Sequence, residues 1–541
     1  MASQQIQDLI HKLEVGAGRR VLQYVMLAVL VLALVFIYDI RAYHCFTDPE
    51  AMDAAQVARN LEEGRGFSTD FIRPFSLYLV QKHNLAANPG RALSTNLVDS
   101  ARVRGTHPDL ANPPVYPLLL AGLMKAWTPR WQVELHKPFW SENGHFMRYQ
   151  PEFRIALFNQ TLLLAAVALV FFLAKKLFDG QAAWLAALLV LGSDQLWQFS
   201  VSGLSTMLLL VILTGLALCL VKAEEIARGA TPKTGGLAAL AGGAGMLTGL
   251  GMLTRYSFGS LIVPVAAFLL LFGGARRGRL ALAAVFSFVL AVSPWLARNL
   301  AVSGTLFGTA GYAVTEETFY PGSQLMQSIN PNFAIASSAL AYAHRFLANI
   351  SSILQDGLWQ LGGGWPGILF LAGLLLGLRN VAARRLRYFA VMCLAALIIA
   401  QALGQSAPAS SGVNPENLLV LLTPLAAIFG TVFFLTLLDQ MKLPSANARY
   451  GVIALLVVLA CQPLAANVLA KSKPLSYPPY YPPEIQQVGG WLKPGELMMS
   501  DMPWAVAWYG QHRCVWLTRN AQPDFYAVND YLEPVEGLYL T

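Results

Sequence analysis

The sequence predicts an all-α polytopic membrane protein with about eleven transmembrane helices and a small extracytoplasmic α/β domain at its C-terminal end. Three observations carry that expectation. Hydrophobic residues make up 55% of the 541-residue chain and charged residues only 13%, about half the charged share of a soluble protein. Several apolar runs approach or exceed the ~20 residues that cross a bilayer. Lys and Arg gather in alternate loops, the positive-inside pattern. That pattern accounts for the formal net charge of +8, so the charge is not read as a nucleic-acid surface. Cys219, Cys393 and Cys461 fall in spans, Cys45 and Cys514 could pair only if the fold brings them together, and no metal-ligand spacing is present.

The polar lead holds Lys12, Arg19 and Arg20 and has no small-residue cleavage site after the apolar run. It is read as an uncleaved anchor with a cytoplasmic N-terminus, and the first span covers about 21–37. A long first outer loop follows, 38–153. It opens with Asp48-Pro49-Glu50-Ala51-Met52-Asp53 and runs through Ala58-Arg59-Asn60-Leu61 to Gly64 and Gly66. Asp48 can cap a helix, Pro49 fits its first position and Glu50 suits the dipole of its first turn. Either glycine can end it. Glu50 and Asp53, three apart, share a face. The stretch is too polar to cross a bilayer, so it is expected along the membrane surface. Asn112-Pro113-Pro114-Val115-Tyr116-Pro117 and the apolar run to Trp127 suggest a re-entrant or interfacial segment.

Further spans are expected at about 155–174, 182–197, 204–221, 236–253, 259–272, 280–297, 365–378, 388–404, 417–438 and 450–469. The loops carrying Lys175-Lys176, Lys222 to Lys233, Arg276 to Arg279, Arg379 to Arg387 and Lys442 with Arg449 are basic and therefore cytoplasmic. The glycines at 242, 245 and 249 read as close helix packing rather than a nucleotide loop. This gives a membrane domain over 1–470, with a second outer loop at 298–364, and an extracytoplasmic α/β domain over 471–541. That domain begins with a stiff Pro/Tyr linker, Tyr477 to Pro483. Strand-like Leu497 to Ser500, Cys514 to Leu517 and Gly537 to Leu540 alternate with helical stretches, and the unit stops as though one element were missing.

The alternation brings several polar groups to one outer face. These are Glu50 and Asp53, Arg255 in a tight turn, Arg298 and Asn299 at the end of one span, and Glu416 at the start of another. A charge at the bilayer centre costs about 3 kcal/mol or more, so these residues belong at the interface or in a cavity. Carboxylates beside arginines at a lipid–water boundary suit the transfer of a group from a lipid phosphate. The leaving phosphate needs fixed positive charge, and an acceptor hydroxyl needs a base. Snorkelling anchors at helix ends are the bland alternative for the two arginines. His107-Pro108-Asp109 reads as a solvated loop, Asp194 as a helix-end cap, and Glu316, Glu317 and Asp356 are undecided.

Over about 20–470 the chain resembles the bacterial GT-C glycosyltransferases, and is similar to the family 39 group of dolichyl-phosphate-mannose protein mannosyltransferases and aminoarabinose transferases. The resemblance rests on the order of several motifs. They are the acidic helix with Ala58-Arg59-Asn60-Leu61 and Gly64-Arg65-Gly66-Phe67, then Pro113 to Pro117, Phe153-Arg154-Ile155, Leu253-Thr254-Arg255-Tyr256, Pro294 to Asn299, and Glu416-Asn417-Leu418-Leu419. It implies an inverting transfer of a sugar from a polyprenyl phosphate to an acceptor hydroxyl, in a bacterial inner membrane and facing out. It also implies Glu50, with Asp53 close behind, as the catalytic acid, and Arg59, Arg255, Arg298, Asn299 and Glu416 as substrate-binding residues. No cofactor is demanded, although a divalent cation could bridge acid and phosphate. The chain departs from the pattern in two places. Ser205-Thr206-Met207 stands where relatives often carry an acid, and Glu416-Asn417 stands where they often carry Arg-Tyr. A non-catalytic scaffold subunit on the same fold, or a lipid-linked sugar transporter, are the rival readings. An enzyme should show a roofed outer cavity holding Glu50, Asp53 and at least one arginine, with the long outer loops and the C-terminal domain as its roof. A scaffold should have that cavity filled.

Overall fold

A computed structural model describes residues 17–43, 45–87, 100–134, 148–229, 234–319, 324–333, 339–405, 413–441, 443–470 and 480–541. Among them, seven helices are long and apolar enough to cross a membrane: Gln150–Leu177, Thr206–Arg228, Gly235–Met252, Gly274–Ser303, Val381–Gly404, Leu419–Gln440 and Ala446–Leu469. The first span is a helix over Ala17–Arg41. The remaining expected spans are helical but short. Tyr256–Phe272 opens with a 3-10 turn. The segment expected at 182–197 is not one helix but two, Gly180–Leu191 and Asp194–Val201, broken at Gly192-Ser193. A Cβ at Gly192 would run into the thiol of Cys461, so a glycine here lets another span pack against the break. The helix expected at 365–378 covers only Trp365–Gly373. It begins after three successive positive-φ glycines, Gly362, Gly363 and Gly364, a backbone that other residues rarely adopt.

The glycine stripe packs as expected. A Cβ on Gly245 would overlap the backbone carbonyl of Ala284, and one on Gly249 would lie 2.8 Å from the Ala291 Cβ. The helices Thr234–Met252 and Arg277–Ser303 therefore touch backbone to backbone. Gly245→Val should force them apart at a cost of about 1–3 kcal/mol, read as a lower midpoint in thermal unfolding of the purified protein. An unchanged midpoint would show that the helices can separate freely.

Among its described residues the first outer loop contains no long span. They form the acidic helix Pro49–Glu62, the helices Pro74–Ala87 and Val115–Ala126, two short strand pairings of the loop with itself, and one strand that pairs elsewhere. The acidic helix starts at Asp48 and Pro49 as expected, and positive φ at Gly64 follows its end. It does not lie on a surface, however. Every residue from Ala51 to Asn60 is buried. Its alanines are small enough to be enclosed on all sides, and its polar residues find partners inside the outer lobe.

The C-terminal segment forms a parallel four-stranded sheet in the order Phe71–Ile72, Arg513–Trp516, Leu497–Ser500, Val535–Tyr539. Its first strand comes from the first outer loop, more than 400 residues upstream in the chain. The element that the C-terminal segment seemed to lack is supplied there, and the two regions share one sheet and one apolar core around Ile72, Met499 and Val515. The first three residues of the Pro/Tyr linker, 477–479, lie outside the described residues. Its middle is pinned by Tyr480, whose hydroxyl donates to the Phe46 carbonyl at 2.8 Å, and its last two prolines open a helix, Pro482–Gly489. Cys45 and Cys514 are both buried and are not joined in a disulfide.

Candidate active site

Four chain regions meet around a cavity of about 320 Å³, the second outer loop among them through Ala310 and Ala313. The first outer loop contributes Glu50, Asp53, Arg73 and Asn112; the start of the third long span contributes Ser205; and the turn after Met252 contributes Arg255. Tyr116, Leu204 and Ala313 are among its less polar walls. All of these come from the connections on the side opposite the basic loops. No lining residue comes from 480–541, so the expected roof is not the C-terminal sheet but the residues around Ala111 and Ala310.

Glu50 and Asp53 share the helix face, as their spacing requires, but their surroundings differ. The Glu50 carboxylate is 57% exposed and lies 3.9 Å from the Arg255 guanidinium. Asp53 is 2% exposed and its oxygens are already engaged. One accepts from the Gln56 amide at 3.0 Å. The other accepts from Arg73 at 2.7 Å and from the Asn112 side chain at 3.0 Å. Arg73, which sequence reasoning missed, therefore brings a second cation to the cavity wall. Its guanidinium also lies 4.0 Å from the Phe71 ring centre. Only the neighbouring Asp53 could have signalled it, and twenty residues of chain separate the two.

Arg298 and Asn299 do not line the cavity. The Arg298 guanidinium donates to the carbonyls of Asp109 at 2.6 Å and Phe67 at 3.2 Å, and to Asn299 Oδ1 at 3.0 Å. It also stacks on Phe67 and Trp295. Asn299 is fully buried and donates to the Leu306 carbonyl. Both residues brace the loop that carries Asp109. The Asp109 carboxylate accepts the backbone N–H groups of Ala111 and Asn112, and Asn112 in turn holds Asp53. Burial and the nearby Asp53 push the Asp109 carboxyl above its ordinary range, and Arg73 opposes them.

His107 is not in a solvated loop. It is fully buried, pairs with Thr69 across a short antiparallel ladder and shares a 2.8 Å hydrogen bond with the Ser76 hydroxyl. Burial lowers its pKa to about 4, so it is neutral at physiological pH. Arg59 is likewise away from the cavity. It runs into the C-terminal segment, where it donates to the Trp508 and Ala507 carbonyls and pairs with Asp70. The Glu416 backbone N–H donates to the Asn414 side chain at 2.8 Å, and Glu416 is not among the cavity-lining residues. Asp194 accepts from Gln198 and Asn467 at the head of its helix. Glu316 is buried near the Met326 backbone, and Asp356 is exposed outside the cavity. The side chain of Glu317 lies outside the described residues.

Asp48 is the titratable neighbour of Glu50. Burial first, and the Glu50 charge second, raise its pKa to about 7, against the pull of Arg255. A carboxyl raised in this way favours the fold while protonated and loses that contribution as pH rises through about 7. Wild type should therefore lose more thermal stability between pH 5 and pH 8 than Asp48→Asn does. Parallel unfolding curves for the two proteins would contradict this.

The dolichyl-phosphate-mannose-protein mannosyltransferase family matches residues 145–297, just over a quarter of the chain. No curated protein matches the chain in sequence. Among solved structures, ArnT from Cupriavidus metallidurans bound to undecaprenyl phosphate is similar at 13% identity and a TM-score of 0.55, covering 96% of this chain and 90% of that one. The oligosaccharyltransferase of Archaeoglobus fulgidus tethered with an acceptor peptide is similar at 13% identity and a TM-score of 0.54, covering 92% and 64%. AglB from the same organism, in complex with an inhibitory peptide and a dolichol-phosphate, gives 13% identity and a TM-score of 0.54, covering 91% and 64%. The chain thus spans about 64% of the length of the archaeal protein. At such identity these likenesses establish the fold, and the family match covers the second to seventh spans. By that likeness the chain has the GT-C fold of a polytopic membrane protein, and over residues 145–297 it is similar to the dolichyl-phosphate-mannose-protein mannosyltransferases.

Proposed function

We propose that the chain moves a sugar from a polyprenyl-phosphate donor to an acceptor hydroxyl at the extracytoplasmic face of a bacterial inner membrane, with inversion at the anomeric carbon. The observation that carries the reading is the open cavity in which an accessible carboxylate, Glu50, stands 3.9 Å from Arg255, with a second acid–arginine pair in the wall. A scaffold would have that space filled by side chains. Solved proteins of the same fold bind undecaprenyl phosphate and dolichol-phosphate, which supports a polyprenyl donor.

In this reading Glu50 takes the proton of the acceptor hydroxyl as its oxygen forms a bond to the anomeric carbon. The bond from that carbon to the phosphate oxygen breaks, and the phosphate leaves with the electron pair. Arg255 balances the charge that develops on it. Arg73 pairs with Asp53 beside the acceptor, and Arg298 and Asn299 position the Asp109 loop. Among the described residues no group of three His, Cys, Asp or Glu could hold a metal. A divalent ion bridging donor and protein would take Glu50 as its ligand, and no step here depends on one.

The test is transfer from labelled polyprenyl-phosphate sugars in native membranes, with the anomeric configuration of the product read by NMR. Wild type should invert that configuration, and Arg255→Ala should lose about 100-fold in rate. Turnover with retention would exclude the direct displacement. Failure to turn over any donor would return the chain to the scaffold reading, which the hydroxyl of Ser205 in the cavity wall favours over an acid.

A further inference from the structure

A second cavity lies away from the first and shares no residue with it. It is an apolar crevice of about 1160 Å³ between the first span, Gln150–Leu177, Gly180–Leu191 and Ala446–Leu469. It sits at the far end of these helices. Gln150 starts its span beside the outer lobe, and Lys175, 25 residues on, is at the crevice. The crevice therefore opens at the face that carries the basic loops.

The first span is tied to the bundle at its other end, where Gln160 donates to Asp39 at 2.5 Å and Tyr38 packs on Trp197 at 5.0 Å. Toward the basic face it stands off, and Leu27 and Val31 form one wall of the gap. Phe172, Trp184 and Tyr450 on the other walls are exposed, so the gap is open sideways. An apolar void of this kind stays dry and takes apolar guests. Among the described residues, one cation lines it. Lys175 lines the crevice, lies 5.8 Å from the Phe171 ring centre and makes no ion pair among the described residues. Its neighbours at this face are paired: Lys176 with Glu225 at 2.6 Å, and Arg449 with Asp439 at 2.7 Å. Trp184 and Tyr450 are the amphipathic rings that mark headgroup depth.

We propose that the crevice binds an anionic phospholipid from the leaflet at the basic face. Its acyl chains fill the gap beside the first span and its phosphate rests on Lys175. Basic pockets between spans recognise anionic headgroups in this way. The lipid packs along the first span at Leu27, Ala28 and Val31.

The test uses the purified full chain and native mass spectrometry with phosphatidylglycerol or phosphatidylcholine of identical chains. Wild type should retain phosphatidylglycerol about fivefold better, the advantage expected from one well-placed lysine. Lys175→Gln should remove that preference while leaving phosphatidylcholine retention as it was. Ala168→Trp, which fills the crevice from an exposed wall position, should lower retention of both lipids. Equal retention by wild type, or a preference that survives Lys175→Gln, overturns the proposal. So does displacement of phosphatidylglycerol by equimolar undecaprenyl phosphate, which would make the crevice a donor site. A dimer that forms as lipid is lost would also overturn it, by showing a second copy in the gap.

Discussion

Glu50→Gln should lower transfer by 10²- to 10⁴-fold while the protein still inserts and unfolds at its usual temperature, because a positioned general base contributes about that much. The amide keeps the size of the side chain and loses only its basicity. Glu50 is the better candidate of the two acids on physical grounds. Its carboxylate is 57% exposed within the cavity, whereas Asp53 is 2% exposed and bonded through both oxygens. Asp53→Asn breaks its ion pair with Arg73, so it should cost stability as well as rate, and about tenfold in transfer as a positioning residue. The measurement is a rate with labelled donor for each variant beside wild type, with unfolding midpoints taken on the same preparations. A silent Glu50→Gln with a dead but well-folded Asp53→Asn would exchange the two roles. Two silent variants would leave the acidic helix with no chemical part.

Arg59→Ala should release the C-terminal segment from the membrane domain. Arg59 is 1% exposed and its guanidinium reaches three acceptors: Asp70 at 3.0 Å, the Ala507 carbonyl at 2.8 Å and the Trp508 carbonyl at 3.1 Å. It also lies between the rings of Trp131 and Trp508. Removing it strands two carbonyls and weakens the hold on a buried carboxylate, for about 3 kcal/mol or more. Arg65 also pairs with Asp70 at 3.0 Å, so part of that charge stays balanced. Arg59→Lys should recover little, since a lysine cannot make the planar fork. Limited proteolysis reports the outcome. Wild type should protect 480–541, and Arg59→Ala should expose cleavage there with a lower unfolding midpoint. Because the same helix carries Glu50, transfer should fall too. A protected segment and an unchanged midpoint would show that the shared sheet alone holds the two regions together.

The spans were legible from their hydrophobicity alone, because a bilayer demands long apolar helices whatever surrounds them. Asp48-Pro49-Glu50 and Gly64 marked the acidic helix for a similar reason, since capping is a local matter. The small-residue stripe at Gly245 and Gly249 named its packing face. Arg298 was harder. An arginine at a helix end reads the same whether it meets a ligand or two carbonyls, and only the placement of Phe67 and Asp109 separates those cases. Arg73 leaves no local signal because its partner Asp53 is twenty residues away, and Arg59 reads as a site residue because two of its three acceptors are more than 400 residues away.

By itself, then, the sequence determined a polytopic membrane protein, the order of its spans, the acidic helix and the turn that carries Arg255. These follow from local chemistry and from the cost of placing polar groups in hydrocarbon. Tertiary structure alone decided that the acidic helix is enclosed, that Asp53 is spoken for while Glu50 is accessible, and that a two-residue strand of the first outer loop completes the C-terminal sheet. Those outcomes depend on which groups meet across long stretches of chain, and pairings of that kind leave no periodicity to read in the sequence.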